Sequence, residues 1–412
     1  MDTDVVIVGA GIIGVATAYK LVEAGRNVVL VDRKGIAEEA SRGNAGALAF
    51  SDIMPLATKD MFSKLPRWLS DPLGPFTVRA EYLPQITPWL MRFWRAGWPD
   101  RVAAGIKAQA AMMRLARRET DAMIVAAGLG HLVRSGGVLE LYESEGEIRA
   151  AAHELEVKTR EGIEHRFVRG ADLAELQPGL SPRIVAATFI PKWQTVTDPY
   201  DYATAVGAAA LTGGATFRKG EVRALHPLND GVSIEFTDGT RLIANKVVVA
   251  GGAWSRALTT PLGDRIPLET ERGYNTTLPP GSFDLRRQLV FGRHGFVVTP
   301  LSTGVRVGGA VELGGLQLPP NFARADAMLK KAAMLMPGLK TSGGTQWMGF
   351  RPSLPDSLPA IGRSRRSPHI IYAFGHGHLG LTQSAGTGKL VAELVTGAAP
   401  SLDLAPFSPQ RF

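Results

Sequence analysis

The sequence has no cysteine among its 412 residues. This absence excludes disulfide bridges, iron–sulfur clusters with cysteine ligands, thiol nucleophiles and any covalent cofactor link through cysteine. The chain also lacks the run of about 18 apolar residues that a transmembrane helix requires. The N-terminus has neither the basic region nor the small-residue cleavage site of a signal peptide, so we expect none.

Charge of one sign is never concentrated in this chain. The 46 basic and 38 acidic residues leave a net charge of +8 that is spread along the sequence. No zinc-ligand spacing and no basic stripe with interleaved aromatics occurs, so we expect no nucleic-acid partner. His376 and His378 have no third ligand nearby, so we expect no metal site. The composition, with 45% hydrophobic residues, is typical of a soluble protein of two or three domains.

A glycine motif stands at the start of the chain. A short β-branched run leads into Gly9-Ala10-Gly11-Ile12-Ile13-Gly14, and a helical stretch follows before a second β-branched run that ends at Asp32. Gly9 permits a tight turn, Gly11 lets the backbone approach a pyrophosphate, and Gly14 lets the helix pack on the strand. An acid at Asp32 is placed to accept from ribose hydroxyls. The motif predicts a dinucleotide site but does not separate NAD from FAD.

After the first 50 residues, predicted strands and helices alternate less regularly. Residues 51–140 are rich in proline and include a long helical stretch, so we interpret them as a helical insertion. Asp198 is a candidate N-cap of a helix that starts at Pro199, and Asp238-Gly239 predicts a hairpin turn. Further predicted elements are strands at 222–225, 232–236, 246–250, 288–298 and 304–311 and helices at 103–127 and 386–395.

One segment imitates a phosphate-binding loop. Ala385-Gly386-Thr387-Gly388-Lys389 has part of that pattern. The full pattern also needs a glycine at position 383 and a hydroxyl at position 390, where this chain has Gln383 and Leu390. We therefore predict a helix start and no nucleotide site here.

Five segments in a fixed order identify a family. They are Ala40–Gly46, Val247–Ser255, Trp347–Pro352, Pro355–Gly362 and Gly375–Thr382. In this order they resemble the FAD-dependent D-amino-acid oxidase superfamily, and within it the bacterial D-amino-acid dehydrogenases of the small-subunit type. The resemblance covers essentially the whole chain.

The resemblance implies an α/β fold with an α+β second domain. A Rossmann-like FAD-binding domain would comprise residues 1–50, 196–262 and 347–412. A mixed-sheet substrate domain with the helical insertion would comprise residues 51–195 and 263–346.

The resemblance also implies non-covalent FAD and assigns its contacts. The ADP half would meet the glycine motif and the residues that end the second strand, and later loops would meet the rest of the cofactor. The matched positions are Gly9, Gly11, Ile12, Ile13, Gly14, Asp32 and Arg33 for the ADP half; Ser41, Asn44, Ala45 and Gly46 for pyrophosphate and isoalloxazine; Val222 for adenine; Gly251, Ala253 and Trp254 for a second loop; and Gly375, Gly377, His378, Leu379, Gly380, Leu381 and Thr382 for the pyrimidine end.

Arg351 is the strongest catalytic candidate. The arginine of this Gly-x-Arg-Pro motif binds the substrate carboxylate in the superfamily, and a planar guanidinium suits that task because it is bidentate. Relatives often carry a tyrosine as a second carboxylate contact where this chain has His294, so either Tyr274 or His294 would replace it, or both are structural aromatics of a half-buried sheet. His376 is a candidate for removing the amine proton, with a packing role as the alternative, since an already neutral amine needs no dedicated base. For His378 we favour a packing role.

The implied function is oxidation of a small D-amino acid, such as D-proline or hydroxy-D-proline, as in D-amino-acid catabolism. Hydride would pass from Cα to flavin N5, and electrons would pass to a quinone or another acceptor than oxygen. The alternatives are an oxygen-dependent oxidase of glycine, sarcosine or a similar amine, a non-catalytic flavin-binding electron-relay subunit, and an NAD-dependent dehydrogenase.

A tryptophan-rich segment bears on the location of the protein. Trp68, Trp89, Trp94 and Trp98 fall among basic residues, a composition found at lipid headgroups. The alternative is that they form part of a core. We expect a cytoplasmic protein, with peripheral contact to the inner membrane as a hypothesis.

Because no cysteine is available as a tether, FAD should leave the protein on denaturation. We expect a yellow protein with the two absorption bands of oxidised flavin, and release of FAD into the supernatant after acid or heat treatment. Absorption spectra of supernatant and pellet measure this. Flavin that stays with the precipitate would contradict non-covalent binding.

Overall fold

In the computed structural model the glycine motif directly follows the first strand of a largely parallel sheet. The structure describes residues 3–57 and 73–412, and residues 66, 70 and 71 between them. Within these residues the first sheet has the order β10-β2-β1-β13, and both the β12-β11 hairpin and the β20-β19 pair adjoin β13. Its strands are β1 (Thr3–Val8), β2 (Val28–Asp32), β10 (Thr216–Lys219), β11 (Val222–Leu228), β12 (Gly231–Phe236), β13 (Arg241–Val249), β19 (Ala360–Arg363) and β20 (Ile370–Phe374).

The central strands of this sheet are apolar on both faces, and helices cover one of these faces. Val5, Val6 and Ile7 of β1 are completely buried. The helices packed on this core are α1 (Ile12–Glu23), α3 (Pro99–Ala126), α6 (Pro199–Thr212) and α9 (Gly380–Thr396). Late segments of the chain therefore return to the sheet that the first strand begins.

Several predicted local signals are present. The Asp198 side chain accepts hydrogen bonds from the backbone N–H groups of Tyr200 and Asp201 at 2.8 and 3.3 Å, which caps α6. Gly239 has φ of +82° in the turn between β12 and β13. Both features confirm the sequence prediction.

The second sheet is mixed and holds the predicted substrate side. Its order is β18-β14-β17-β16-β15-β6-β8-β7, and β4 pairs with β17. The strands are β4 (Phe76–Val78), β6 (Val138–Tyr142), β7 (Arg166–Val168), β8 (Ala186–Ile190), β14 (Glu269–Leu278), β15 (Gln288–Phe291), β16 (Phe296–Leu301), β17 (Gly304–Leu313) and β18 (Thr345–Ser353). A small third sheet consists of β3 (Ala47–Leu48), β5 (Val133–Arg134) and β9 (Gln194–Val196).

Two predicted boundaries differ from the structure. The strand predicted at 288–298 is split by a 3-10 turn at Gly292–His294, after which Gly295 has φ of +67° and starts a hairpin return. The segment predicted as 347–412 of the FAD domain begins in β18, which pairs with β14 and so belongs to the second sheet. The division into two domains is otherwise kept as a proposal.

The remaining helices are α2 (Leu83–Ala96), α4 (Glu145–Arg160), α5 (Gly170–Leu176), α7 (Ser255–Thr259) and α8 (Ala323–Leu335).

Helix α2 includes part of the tryptophan-rich segment. Trp89 is buried and stacks on Phe93, and Trp94 is partly buried in the same core. Trp98 is 40% exposed, and Trp68 lies outside the described residues. Two of the four tryptophans therefore serve a core. In the described part of the chain no helix is long and apolar enough to cross a membrane.

Helix packing explains the glycines of the segment that partly matches a phosphate-binding loop. This segment lies inside α9, which starts at Gly380. A Cβ atom at Gly388 would come within 2.7 Å of the carbonyl oxygen of Ala16, and one at Gly386 within 3.0 Å of Ala116 Cα. These glycines therefore permit α9 to cross α1 and α3 closely.

Arg272 is a structural arginine of the second sheet. It is fully buried and donates to the carbonyl oxygens of Gly314, Gly315, Leu318 and Pro319 and, at 3.2 Å, to Glu312 Oε1. These contacts fasten the chain that follows β17.

Replacing Arg272 by methionine should destabilise this half of the protein by about 3–5 kcal/mol, because it leaves the Glu312 carboxylate buried without its cationic partner. Denaturant unfolding monitored by circular dichroism measures the effect. The half-exposed Arg286, replaced in the same way, is the control and should cost under about 1 kcal/mol. Equal stability of the two variants would contradict the assignment.

Candidate active site

An elongated cavity of about 960 Å³ runs from the glycine motif to the second sheet. Gly9, Asp32 and Val222 line one end, and Arg351 and His378 line the other. Most of the predicted site residues line this cavity. The exceptions are Gly14, Gly46, Gly375, Thr382 and His294.

The glycine motif forms a cradle that only glycine permits. Gly9 has φ of +110°, and a Cβ atom there would lie 2.4 Å from the carbonyl oxygen of Ala250. A Cβ at Gly14 would lie 1.8 Å from the Gly9 carbonyl oxygen, so Gly14 sets the helix against the turn. The N-terminus of α1 faces the cavity, where its N–H groups and dipole favour phosphate. The residues present fit a dinucleotide.

Ser41 and Asp32 have structural partners in this cradle. Ser41 Oγ accepts from the backbone N–H of Ile12 at 2.9 Å, which satisfies one of the free donors of the helix N-terminus. Asp32 accepts from the backbone N–H groups of Ala10 and Lys34 at 2.9 and 2.8 Å and still lines the cavity.

Arg33 and Trp254 form one wall near this end. The guanidinium of Arg33 lies 4.1 Å from the Trp254 ring centroid and pairs with Glu39 at 2.8 Å. The Trp254 ring also contacts Phe350 edge to face. The wall is therefore held by a cation–π contact and an ion pair.

The loop at residues 41–46 is fastened from the second sheet. Asn275 and Arg306 donate to the carbonyl oxygens of Gly43 and Asn44 at 2.8 and 2.7 Å. Within the loop, the Asn44 side chain donates to the Ser41 carbonyl and accepts from the Gly46 N–H. These contacts make the loop rigid between the two sheets.

The C-terminal loop completes the cavity. Gly375 and Gly377 have φ of +86° and +55°, which turns the chain from β20 into α9. Thr382 Oγ1 accepts from the Ala49 N–H at 2.9 Å and so ties α9 to the chain after β3. The N-terminus of α9 begins at Gly380, beside the cavity.

Arg351 lies at the opposite end on β18. Its Nη1 donates to the Ala310 carbonyl oxygen at 2.8 Å, and its Nη2 to that of Gly309 at 3.4 Å. Ala310 has φ of +55°, in a bulge of β17 opposite β14. Bulges and such backbone strain are typical of functional sites. Burial lowers the pKa of Arg351, and the charge of Glu271 opposes that shift.

His376 has the environment of a packed, neutral imidazole. It is 2% exposed, and its Nε2 bonds Thr387 Oγ1 at 2.9 Å inside α9. Burial lowers its pKa to about 3. A base with this pKa is weak at neutral pH, so the environment favours packing over proton removal.

His378 is paired with an acid that the sequence analysis missed. Its Nε2 lies 3.1 Å from Asp52 Oδ2, and both residues line the cavity. Burial disfavours the charged imidazole, but the hydrogen bond and charge of Asp52 outweigh it and raise the pKa of His378. The pair therefore favours the protonated form.

Tyr274 and His294, the candidates for a second carboxylate contact, both have acidic partners in the structure. The Tyr274 hydroxyl donates to Glu312 Oε1 at 3.0 Å and accepts from the Asn321 N–H, and its ring is part of the second core. His294 bonds Glu143 at 2.5 Å and does not line the cavity. These partners favour structural roles for both side chains, and Tyr274 lies on the face of β14 opposite to that of Gly273, because alternate residues of a strand point to opposite faces.

Asp52, Glu271 and Trp347 are among the side chains that line the cavity without having been predicted. The indole of Trp347 lies where a Cβ of Gly43 or Gly349 would be, at 2.3 and 1.9 Å. Glu271 stands two positions before Gly273 on the cavity face of β14. The period of that strand, counted from Gly273, is the signal that would have found it.

Comparisons with known proteins agree with this geometry. The model of the family described as DAO, FAD dependent oxidoreductase, matches residues 4–394. A D-amino-acid oxidase of Bradyrhizobium diazoefficiens is 34% identical over 99% of this chain and 98% of its own. A D-amino acid dehydrogenase of Rhizobium johnstonii is 30% identical over 99% of both chains.

Two solved structures share the fold. A glycine oxidase from Geobacillus kaustophilus has a TM-score of 0.79 at 23% identity and covers 100% of this chain and 99% of its own. An L-proline dehydrogenase from P. horikoshii has a TM-score of 0.76 at 19% identity, with 100% and 98% covered. The predicted fold class is confirmed.

The cradle and the long cavity fit a dinucleotide-dependent enzyme, and the family match over residues 4–394 makes that dinucleotide FAD. The chain belongs to the DAO family of FAD-dependent oxidoreductases. The expected cofactor and the expectation of an enzyme are thereby confirmed, and the alternative of an NAD-dependent dehydrogenase is excluded.

Gly273 makes room for the Arg351 guanidinium. A Cβ atom at Gly273 would lie 2.3 Å from Arg351 Nη2 and 2.5 Å from Cζ. Gly273→Ala should therefore displace the guanidinium and lower kcat/KM by about tenfold or more, with FAD retained. Steady-state kinetics and the flavin spectrum measure this. Gly130→Ala, where the added Cβ meets no atom of the described residues within 4 Å, is the control; equal kinetics of both variants would contradict the placement.

Proposed function

We propose that this enzyme oxidises a small D-amino acid, of the D-proline or hydroxy-D-proline type among others, to the imino acid. An open-chain imine then hydrolyses to the 2-oxo acid, and a cyclic imine stays in its ring. Bound FAD supplies the hydride acceptor for the substrate Cα. The observation that carries the proposal is the Arg351 guanidinium held at the cavity wall by two carbonyl oxygens.

Arg351 orients the substrate through its carboxylate. Its side chain is anchored by Gly309 and Ala310, so little conformational freedom is lost when a substrate binds. A bidentate contact fixes the direction as well as the position of the carboxylate. Positioning of this kind supplies several kcal/mol of the barrier to reaction at Cα.

Neither of the nearby histidines is well suited to removing a proton from the substrate. His376 is neutral because its pKa is lowered to about 3. His378 beside Asp52 has a raised pKa and favours the cation. A substrate that arrives with a neutral amine needs no dedicated base, and this is the form that we propose reacts.

For the electron acceptor we propose a quinone or another acceptor than oxygen. Support comes from relatives named D-amino acid dehydrogenase at 30–31% identity over almost the whole chain. We retain peripheral contact of a cytoplasmic enzyme with the inner membrane, for which Met91, Arg92 and Trp98 supply exposed apolar and basic side chains. An oxygen-dependent oxidase is the second candidate, because the relative at 34% identity is named D-amino-acid oxidase.

One set of assays tests these proposals. Amino acids of both hands, glycine and sarcosine are screened with an artificial dye acceptor, with and without oxygen, and the protein is floated with anionic liposomes at low and high salt. We expect turnover of D-amino acids with the dye, little peroxide, and flotation at low salt. Rapid stoichiometric peroxide production without flotation would replace the dehydrogenase with a soluble oxidase.

Replacing Arg351 by methionine should retain FAD and lower kcat/KM by about two to four orders of magnitude, because the buried substrate carboxylate loses its charged partner. The flavin spectrum and steady-state kinetics measure this. Arg366→Met, at an exposed arginine, is the control. Near-normal kinetics of the Arg351 variant would mean that another group holds the carboxylate.

A further inference from the structure

Glu271 is a buried carboxylate at the substrate end of the cavity. It lies on β14, is 4% exposed and lines the cavity. Its Oε2 is buried and has no hydrogen-bond partner among the described residues. A buried charged oxygen without a partner is costly, and native proteins rarely keep one without a reason.

The position of Glu271 relative to Arg351 supplies the reason. The two residues are direct neighbours in the register of β14 and β18. The Arg351 guanidinium, however, lies across Gly273, two positions further along β14. In the described part of the chain no ion pair within 4 Å joins the two side chains. One cavity wall therefore presents a cation and an anion that remain apart.

A 2-amino acid carries a carboxylate and an N–H donor on the same carbon atom, which together complement this wall. Its carboxylate suits Arg351, and its amino group can donate to a carboxylate beside that arginine. We propose that Glu271 binds the substrate amino group and so restricts the enzyme to 2-amino acids with at least one N–H. This inference rests on the proposed function and names the substrate class of the same site.

Support of Arg351 is the competing role for Glu271. The guanidinium already donates to the carbonyl oxygens of Gly309 and Ala310, which fix it without Glu271. The nearby His378 is likewise paired with Asp52. Glu271 is thus left with a hydrogen-bonding capacity that these neighbours do not use.

The test compares binding of ligands with and without the amino group. The holoenzyme is reduced anaerobically with dithionite, so that it binds without turnover. Calorimetry then gives the Kd of D-proline and of cyclopentanecarboxylate, and of D-alanine and propionate, for the wild type, Glu271→Gln and Glu271→Asp. The control is Glu269→Gln, a buried carboxylate on the same strand that bonds Tyr82 and does not line the cavity.

In Glu271→Gln we expect the Kd of each amino acid to rise by roughly 10- to 100-fold, the value of a hydrogen bond to a charged group. The Kd of each amine-free acid should stay equal or fall, since a nearby negative charge is removed. Glu271→Asp should lie between, and Glu269→Gln should match the wild type.

Equal weakening of both ligand types in Glu271→Gln would overturn the inference, because it would show that Glu271 only supports Arg351. An unchanged ratio between the Kd of the amine-free acid and that of the amino acid, in a Glu271→Gln variant with full FAD content, would overturn it as well. The binding data are independent of the proposed function: absence of D-amino-acid turnover by the wild type would refute that function while the selective loss of amino-acid binding still supports the role of Glu271.

Discussion

The contact between the Arg351 guanidinium and the carbonyl oxygens of a strand bulge fixes the end of the cavity that lies opposite the glycine motif. The bulge turns the backbone of β17 at Ala310, whose φ is +55°, so that its carbonyl meets Arg351 at 2.8 Å. Gly273 leaves the space that the guanidinium occupies. A regular ladder would direct these carbonyls along the sheet, and the arginine would have no fixed position. The strained backbone at Ala310 therefore accompanies a fixed orientation of the Arg351 guanidinium.

Cofactor and substrate ends are joined through one loop. Side chains of the second sheet donate to consecutive carbonyl oxygens of residues 43–45: Asn275 to Gly43, Arg306 to Asn44 and Gln288 to Ala45. The same strand, β14, carries Asn275 and Glu271 on its cavity face. A displacement of that strand would therefore shift the cofactor loop and the substrate wall together.

Local sequence signals made the cofactor end of the cavity predictable. The other end depends on the directions in which the tertiary fold points its side chains. The glycine motif, the Asp198 cap and the Asp238-Gly239 turn each act within a few residues, so the sequence alone indicates them. The bond of Tyr274 to Glu312, on the other face of β14, could not be foreseen from the sequence. The role of Glu271 depends on the register between β14 and β18, which joins segments about 80 residues apart and leaves no local trace.

The hydrogen bonds from the second sheet to the cofactor loop have a consequence in the cell. Because this loop lies between the two sheets, bound FAD stabilises the interface of both halves, and stability rises with the concentration of free cofactor by mass action. The apoprotein, which lacks the stabilisation by bound cofactor, is the form that proteases and chaperones would remove. Vitamin supply would then set how many copies of the enzyme persist, as well as how many are active.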